Sequence, residues 1–279
     1  MKRPCYTNYT SAFPELEKLA KTIREVMPDF ETIDDTLSEN VQRTVALFKV
    51  GIRQDNDEYV KLADMLEECA PEEPCKSMAC SLCQRSRRLR FMRKWMPYIK
   101  EHQEDYVAVT LVFYADMLST SELLNWDYNR LKQRLLKVIQ RIGFKAPIIG
   151  GFEMDYHNYT HDKKKSYWLP HFHLLMPNER EKLQKLREYM LRKKNIQARE
   201  GKRNRPMRID VIKDVERQMS YCITGIWMEY PWFLNADNKL KKSKYPRRVK
   251  CASTYAKSLM KLESLSDGML TFAVNVQVE

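Results

Sequence analysis

Glycine is scarce in this chain, with seven in 279 residues. None stands in the spacing G-x-x-x-x-G-K-[ST], which excludes a Walker-type phosphate loop and the ATP-driven motors built on it. Histidine is scarcer still, at five. Long apolar runs are missing: no stretch approaches the roughly 20 residues of a membrane span, so no membrane partner is expected. The opening Met1-Lys2-Arg3-Pro4-Cys5 is basic, but no apolar stretch follows it as in a secretion signal. These absences lead to the expectation of a cytoplasmic protein whose cysteines stay reduced unless a metal holds them.

Positive charge is abundant. Forty-nine Lys and Arg against 37 Asp and Glu give a formal net charge of +12, a balance that suits a polyanionic partner. The 43% hydrophobic content supports a substantial core, arranged as one large domain or one domain with an extension.

The first 68 residues read as helical. Leu16, Leu19, Ile23 and Val26 recur at helical spacing after Pro14, and a second helix is expected from about Val41 to Leu66. Four of the seven cysteines fall within 69–83, followed by a basic helix with Arg85, Arg87, Arg88, Arg90, Arg93 and Lys94. From Tyr106 the character changes. Tyr106–Phe113 is β-branched and aromatic, as in a buried strand. Ser119 or Thr120 is expected to cap a helix running to about Ile142. Strands at Ile148–Asp155 and His171–Met176, a helix over 178–194, a strand at Pro206–Ile212 and a helix from Val215 to about Trp227 complete the series. The order β-α-β-β-α-β-α begins as an α+β, ferredoxin-like split βαβ arrangement with an antiparallel central sheet and helices on one face. The pattern weakens after Pro231, and the basic stretch 239–250 reads as mobile without a ligand.

The most informative residues are His171-Phe172-His173. In a strand, residues two apart share a face, so the two imidazoles project together while Phe172 points to the core. In the expected hairpin of 148–155 with 168–176, Glu153 lies beside them, with Asp155 as the second choice of carboxylate. Two neutral nitrogens and a carboxylate suit Mg²⁺ or Mn²⁺ on a phosphate, and could also hold Zn²⁺.

Three segments together resemble one family. Val109-Thr110-Leu111-Val112 is similar to the "LTLT" strand of HUH endonucleases, Leu169-Pro170-His171-Phe172-His173-Leu174-Leu175 to their histidine-hydrophobic-histidine metal motif, and Val215–Gly225 to their nucleophile helix. The order of the motifs over residues 105–230 resembles the rolling-circle replication initiator (Rep) type. Thr224 stands where the initiators carry a lysine, Gly225 where a second tyrosine often stands, and Val112 where the strand motif has its second threonine. The resemblance implies a metal-dependent, one-tyrosine enzyme with HUH site-specific DNA-nicking and DNA-joining activity. Tyr221 is then the expected nucleophile, with Tyr255 as the rival, and His171, His173 and Glu153 are the expected metal ligands. It further implies single-stranded DNA and origin DNA as partners, a separate helicase, and a plasmid, phage or mobile element in a bacterial host. Two other classes stay open: a non-catalytic origin DNA-binding protein or repressor, and a metal-dependent nuclease without a covalent intermediate.

Cys69, Cys75, Cys80 and Cys83, spaced C-x5-C-x4-C-x2-C, suggest a structural Zn²⁺, with Cys5 as an alternative to Cys69. Candidate DNA contacts are Arg87, Arg90 and Lys94 in the basic helix, Lys202, Arg203 and Arg205 in a basic loop, and Lys241, Lys242 and Arg247 near the C-terminus. Arg217, one turn before Tyr221, is a further candidate for the phosphate. Trp126, Tyr159, Tyr167 and Trp168 are candidates for stacking on unpaired bases. The expected division is a helical N-terminal region over 1–100, a nuclease domain over 101–230 and a basic C-terminal extension over 231–279.

Overall fold

The computed structural model describes residues 14–70, 73–196 and 204–276. Four helices come first: α1 (Pro14–Val26), α2 (Ile33–Gln54), α3 (Asp57–Glu67) and α4 (Ser81–Glu101). Then follow β1 (Tyr106–Val112), α5 (Tyr128–Ile142), β2 (Ile148–Tyr159), β3 (Tyr167–Pro177), α6 (Arg180–Met190), β4 (Met207–Val211) and α7 (Val215–Cys222). The chain ends with β5 (Glu229–Leu234), β6 (Leu240–Lys242), α8 (Ala252–Glu263), α9 (Asp267–Leu270) and β7 (Thr271–Val274). Among the described residues no helix is long and apolar enough to cross a membrane.

These elements form two compact units, divided after Tyr98, with Lys250–Ser266 returning to the first. The C-terminal 231–279 segment is therefore not one extension. Residues 231–249 belong to the sheet unit, 250–266 to the helical unit, and the remainder to the sheet unit again.

In the helical unit, α2 opens on a reciprocal cap. The Asp35 N–H donates to Thr32 Oγ1 at 3.1 Å and the Thr32 N–H donates to Asp35 Oδ2 at 2.9 Å. The helix expected over 41–66 is in fact two. Asp55 takes a left-handed conformation at φ 48°, and Asn56 caps α3 by accepting from the Glu58 N–H at 3.0 Å. Asp and Asn are the residues that tolerate such a break, because their short side chains bond the local backbone. α8 packs against α2 and α3. Several basic residues expected on the surface are structural here. Arg85 is buried in an ion pair with Glu17, and Arg88 bonds Glu31 at 2.6 Å.

The sheet unit is α+β with one mixed sheet ordered β4-β1-β3-β2-β5-β6, and β7 also pairs β2. All pairings are antiparallel except β2 with β5. Near-continuous apolar sequence in β3 matches a strand buried along its whole length. Alternation then sorts the faces. Phe152 and Phe172 point to one side and pack with Tyr128 of α5 and, for Phe172, with Phe272. Burying a side chain such as Phe172, fully inaccessible here, contributes about 2–3 kcal/mol. Glu153, His171 and His173 take the other side.

Several expected boundaries move. α5 starts at Tyr128, capped by Asp127, because Ser119 closes a separate turn with Glu122. α7 stops at Cys222 rather than near Trp227. The basic stretch after 239 is not loose: β6 pairs β5, and Arg247 bridges to Glu229.

Candidate metal and nucleophile site

Register brings the site together. Glu153 pairs with His171 and Gly151 with His173 across β2 and β3, while Thr110 of β1 pairs with His173 on the other flank. All three candidate ligands are buried. The Glu153 Oε2 atom is 3.8 Å from His171 Nε2 and 3.7 Å from His173 Nε2. The opposite ring nitrogens are engaged: His171 Nδ1 lies 3.1 Å from the Leu169 carbonyl, and His173 Nδ1 lies 3.1 Å from Thr110 Oγ1. Such outer contacts fix ring orientation and leave Nε2 to face an ion. The Nε2 atom of His173 is buried with no protein hydrogen-bond partner. An inward-facing orphan nitrogen beside a carboxylate fits a cation site better than a packed core.

Electrostatics sharpen the picture. Burial opposes charge on both imidazoles, yet the Asp155 and Glu153 carboxylates lift His171 to about 9. His173 falls to about 3, through burial and its neighbour His171. Burial pushes Glu153 up, but the two histidines and Thr224 hold it below the ordinary carboxylate value. Asp155, the second-choice ligand, is raised by burial and by the charge of Glu153. The three side chains whose ligand atoms converge are Glu153, His171 and His173.

Tyr221 comes from the last turn of α7. Its ring centroid lies 4.4 Å from that of His173, and its side chain is half exposed. Burial and the Glu153 and Asp155 carboxylates push its hydroxyl up to about 12. The seat of α7 depends on Gly151: a Cβ there would come within 2.4 Å of the Cys222 carbonyl. The rival, Tyr255, belongs to the helical unit, where it is buried and donates to Glu39 Oε1 at 2.7 Å.

Thr224 has a role that motif reading missed. Its N–H donates to Glu153 Oε1 at 2.9 Å, and its hydroxyl donates to the same oxygen. One carboxylate oxygen is thereby held, and the other turns to the histidines. The chain reaches this position by breaking helix after Cys222 and leaves it through Gly225 at φ 65°. Thr110 was read only as part of a strand motif, and its pairing opposite His173 is the signal that it supports a candidate ligand.

In the helical unit, Cys69, Cys75, Cys80 and Cys83 bring their sulfurs together as a second group able to hold a metal ion. Cys5 lies outside the described residues. Candidate DNA contacts divide. Arg90, Lys94, Arg205, Arg217, Lys241 and Lys242 are exposed. Arg87 is half-buried and donates to Gln84 at 2.9 Å. Arg247 bonds the fully buried Glu229 at 2.6 Å, which makes it structural. Lys202 and Arg203 lie outside the described residues. Of the aromatic candidates, Tyr159, Tyr167 and Trp168 are core residues and Trp126 stacks on Phe152. Tyr230, with the Lys242 ammonium 3.7 Å from its ring centroid, is an aromatic that sequence reading passed over.

No known protein family, curated protein or solved structure matches this chain.

Proposed function

We propose that the sheet unit is an HUH-type nuclease of ferredoxin-like ancestry that nicks single-stranded DNA with Tyr221 and later rejoins it. The β4-β1-β3-β2 core order supports that fold reading. The observation that carries the function is the convergence of Glu153, His171 and His173 with the Tyr221 ring against His173. Tyr221 Oη would form a bond to phosphorus while the bond from phosphorus to the 3′-oxygen breaks. The phenol proton passes to solvent, and the departing 3′-oxygen takes up a proton. The products are a 5′-phosphotyrosine link and a free 3′-hydroxyl, and the link preserves the strand's ability to be rejoined. Glu153, His171 and His173 would hold a Mg²⁺ or Mn²⁺ ion, which would supply charge neutralisation at the phosphate and the leaving oxygen. Thr224, Thr110 and the Leu169 carbonyl orient the ligands. The positive net charge supports a nucleic-acid substrate. The absence of a Walker loop from the sequence supports a separate helicase as partner, in replication initiation or transposition of a mobile element.

The test mixes purified protein with Mn²⁺ and pooled single-stranded oligonucleotides labelled at either end, followed by a denaturing gel. A metal-dependent shifted band carrying the 3′ label, absent from Tyr221→Phe and present in Tyr255→Phe, is expected. Cleavage with no shifted band would assign a hydrolase without a covalent step. Tight binding without chemistry would assign a DNA-binding protein.

A further inference from the structure

Four sulfurs in the helical unit converge from separate short segments. Cys69 follows α3, Cys75 sits in the link after it, Cys80 immediately precedes α4, and Cys83 lies in its first turn. Cys83 Sγ is 3.7 Å from both Cys69 Sγ and Cys75 Sγ. That distance is far too long for a disulfide, whose sulfurs lie about 2.05 Å apart. It agrees with a single tetrahedral ion, because Zn–S bonds of about 2.3 Å place the sulfurs about 3.8 Å apart. A multi-iron cluster would hold its cysteines farther apart. We propose that Cys69, Cys75, Cys80 and Cys83 bind one Zn²⁺ as a closed tetrathiolate, and that this ion is the clasp of the helical unit.

The surroundings suit that ion. The Cys80 carbonyl accepts the first helical bond of α4, from Gln84 N–H at 3.0 Å. Cys80 and Cys83 thus stand at a helix N-terminus, where the backbone dipole favours thiolates. A tetrathiolate around Zn²⁺ carries net negative charge and needs a nearby cation. Arg43, 1% exposed, exerts its charge on Cys80 while donating to the Ala79 carbonyl at 2.7 Å. The Cys75 N–H bonds the Cys69 sulfur. The link itself is buried through 77–80 and its polar groups are partnered: Gln84 Nε2 donates to the Met78 carbonyl at 2.5 Å and the Ala79 N–H to Ser77 Oγ at 3.0 Å. An open cleft bordered by Asp64, Glu68 and Glu73 reaches Cys69 and Cys75 and provides an acidic entry path. With no helix or strand among the described residues between α3 and α4, a closed metal site is what holds these buried turns in one conformation.

The inference does not rest on the nuclease reading, and its test keeps the two apart. Protein purified without added metal is assayed for metal beside His171→Ala/His173→Ala, which lacks the other candidate site. One zinc per chain, retained by both, is expected. Replacing zinc by cobalt in the double variant should give strong near-ultraviolet sulfur-to-cobalt absorption and the visible bands of a tetrahedral site, weakened by Cys75→Ser. Four thiols should resist a disulfide reagent until a strong chelator is added, and the chelator should lower the far-ultraviolet helical signal. Thiol counting on the unsubstituted protein decides the matter if Cys75→Ser fails to fold. Bound iron, no bound metal, cobalt spectra without sulfur character, or thiols equally reactive with and without chelator would each overturn the proposal.

Discussion

The two units bring candidate ligands together in opposite ways. In the helical unit four soft sulfurs come from a stretch of 15 residues, 69–83, and close around one point. In the sheet unit one carboxylate and two imidazoles come from paired strands, with a half-exposed tyrosine beside them. A closed set of four sulfurs suits a structural ion, whereas a three-ligand set leaves positions for substrate. The candidate tyrosines divide the same way. Tyr255 is buried and bonded to Glu39; Tyr221 is half exposed and rests against the ring of His173, a candidate ligand. A nucleophile would need the accessible group, whereas the buried one serves packing.

Exchange of the tyrosines gives the largest effect. Tyr221→Phe should abolish the covalent DNA product on a denaturing gel, and a product of undiminished yield would remove the distinction between the units. Next comes the seat of α7. Gly151→Ala would push a methyl into the Cys222 carbonyl. It should cost about 1–3 kcal/mol in urea unfolding and slow nicking roughly 10²-fold through misplacement of Tyr221. Wild-type rates would show that α7 adjusts freely. Thr224→Val removes both hydrogen bonds to Glu153, and Mn²⁺ affinity by calorimetry should fall about 10- to 100-fold. Unchanged affinity would deny Thr224 its orienting role.

Smaller effects belong to the helical unit. Tyr255→Phe should leave covalent product formation intact while lowering unfolding stability by about 1 kcal/mol, the worth of one hydrogen bond. Cys251 provides the mildest probe. Burial raises its pKa, but hydrogen bonds from Ser253 and Thr254 outweigh that and bring it down to about 7. The thiolate is the reactive form, so alkylation of Cys251 should rise with pH and reach half its limiting rate near pH 7. Burial pushes the Cys222 thiol far higher, and peptide mapping should find it unlabelled under native conditions. Labelling of Cys222 at the Cys251 rate would contradict the buried seat of α7.

Much of the site was legible because strand alternation is a local rule. The spacing of His171 and His173 placed both rings on one face, and hairpin logic set Glu153 beside them; the structure fixed the register at His171. The four-cysteine group was suggested by its spacing, with Cys5 left as an alternative to Cys69, and the structure brings Cys69, Cys75, Cys80 and Cys83 together. Other features were not. Arg85, Arg88 and Arg247 read as free positive charge, but each has a carboxylate partner 18 or more residues away, which periodicity does not reveal. Trp168 and Tyr167 read as candidates for base stacking because aromatic residues look alike whether inside or outside. The helix expected through Trp227 broke at Cys222, since the following residues turn back to reach Glu153.

By itself, the sequence determined the pattern: which residues alternate along strands, where the sulfurs cluster, and the sign of the charge. Those follow from backbone geometry and residue chemistry over a few positions. Tertiary structure alone decided that Thr224 would hold a carboxylate 71 positions earlier, that Gly151 would admit the end of α7, and which tyrosine would be accessible. Each depends on segments distant in sequence meeting at distances of a few ångströms, and only close packing of the whole unit sets those distances.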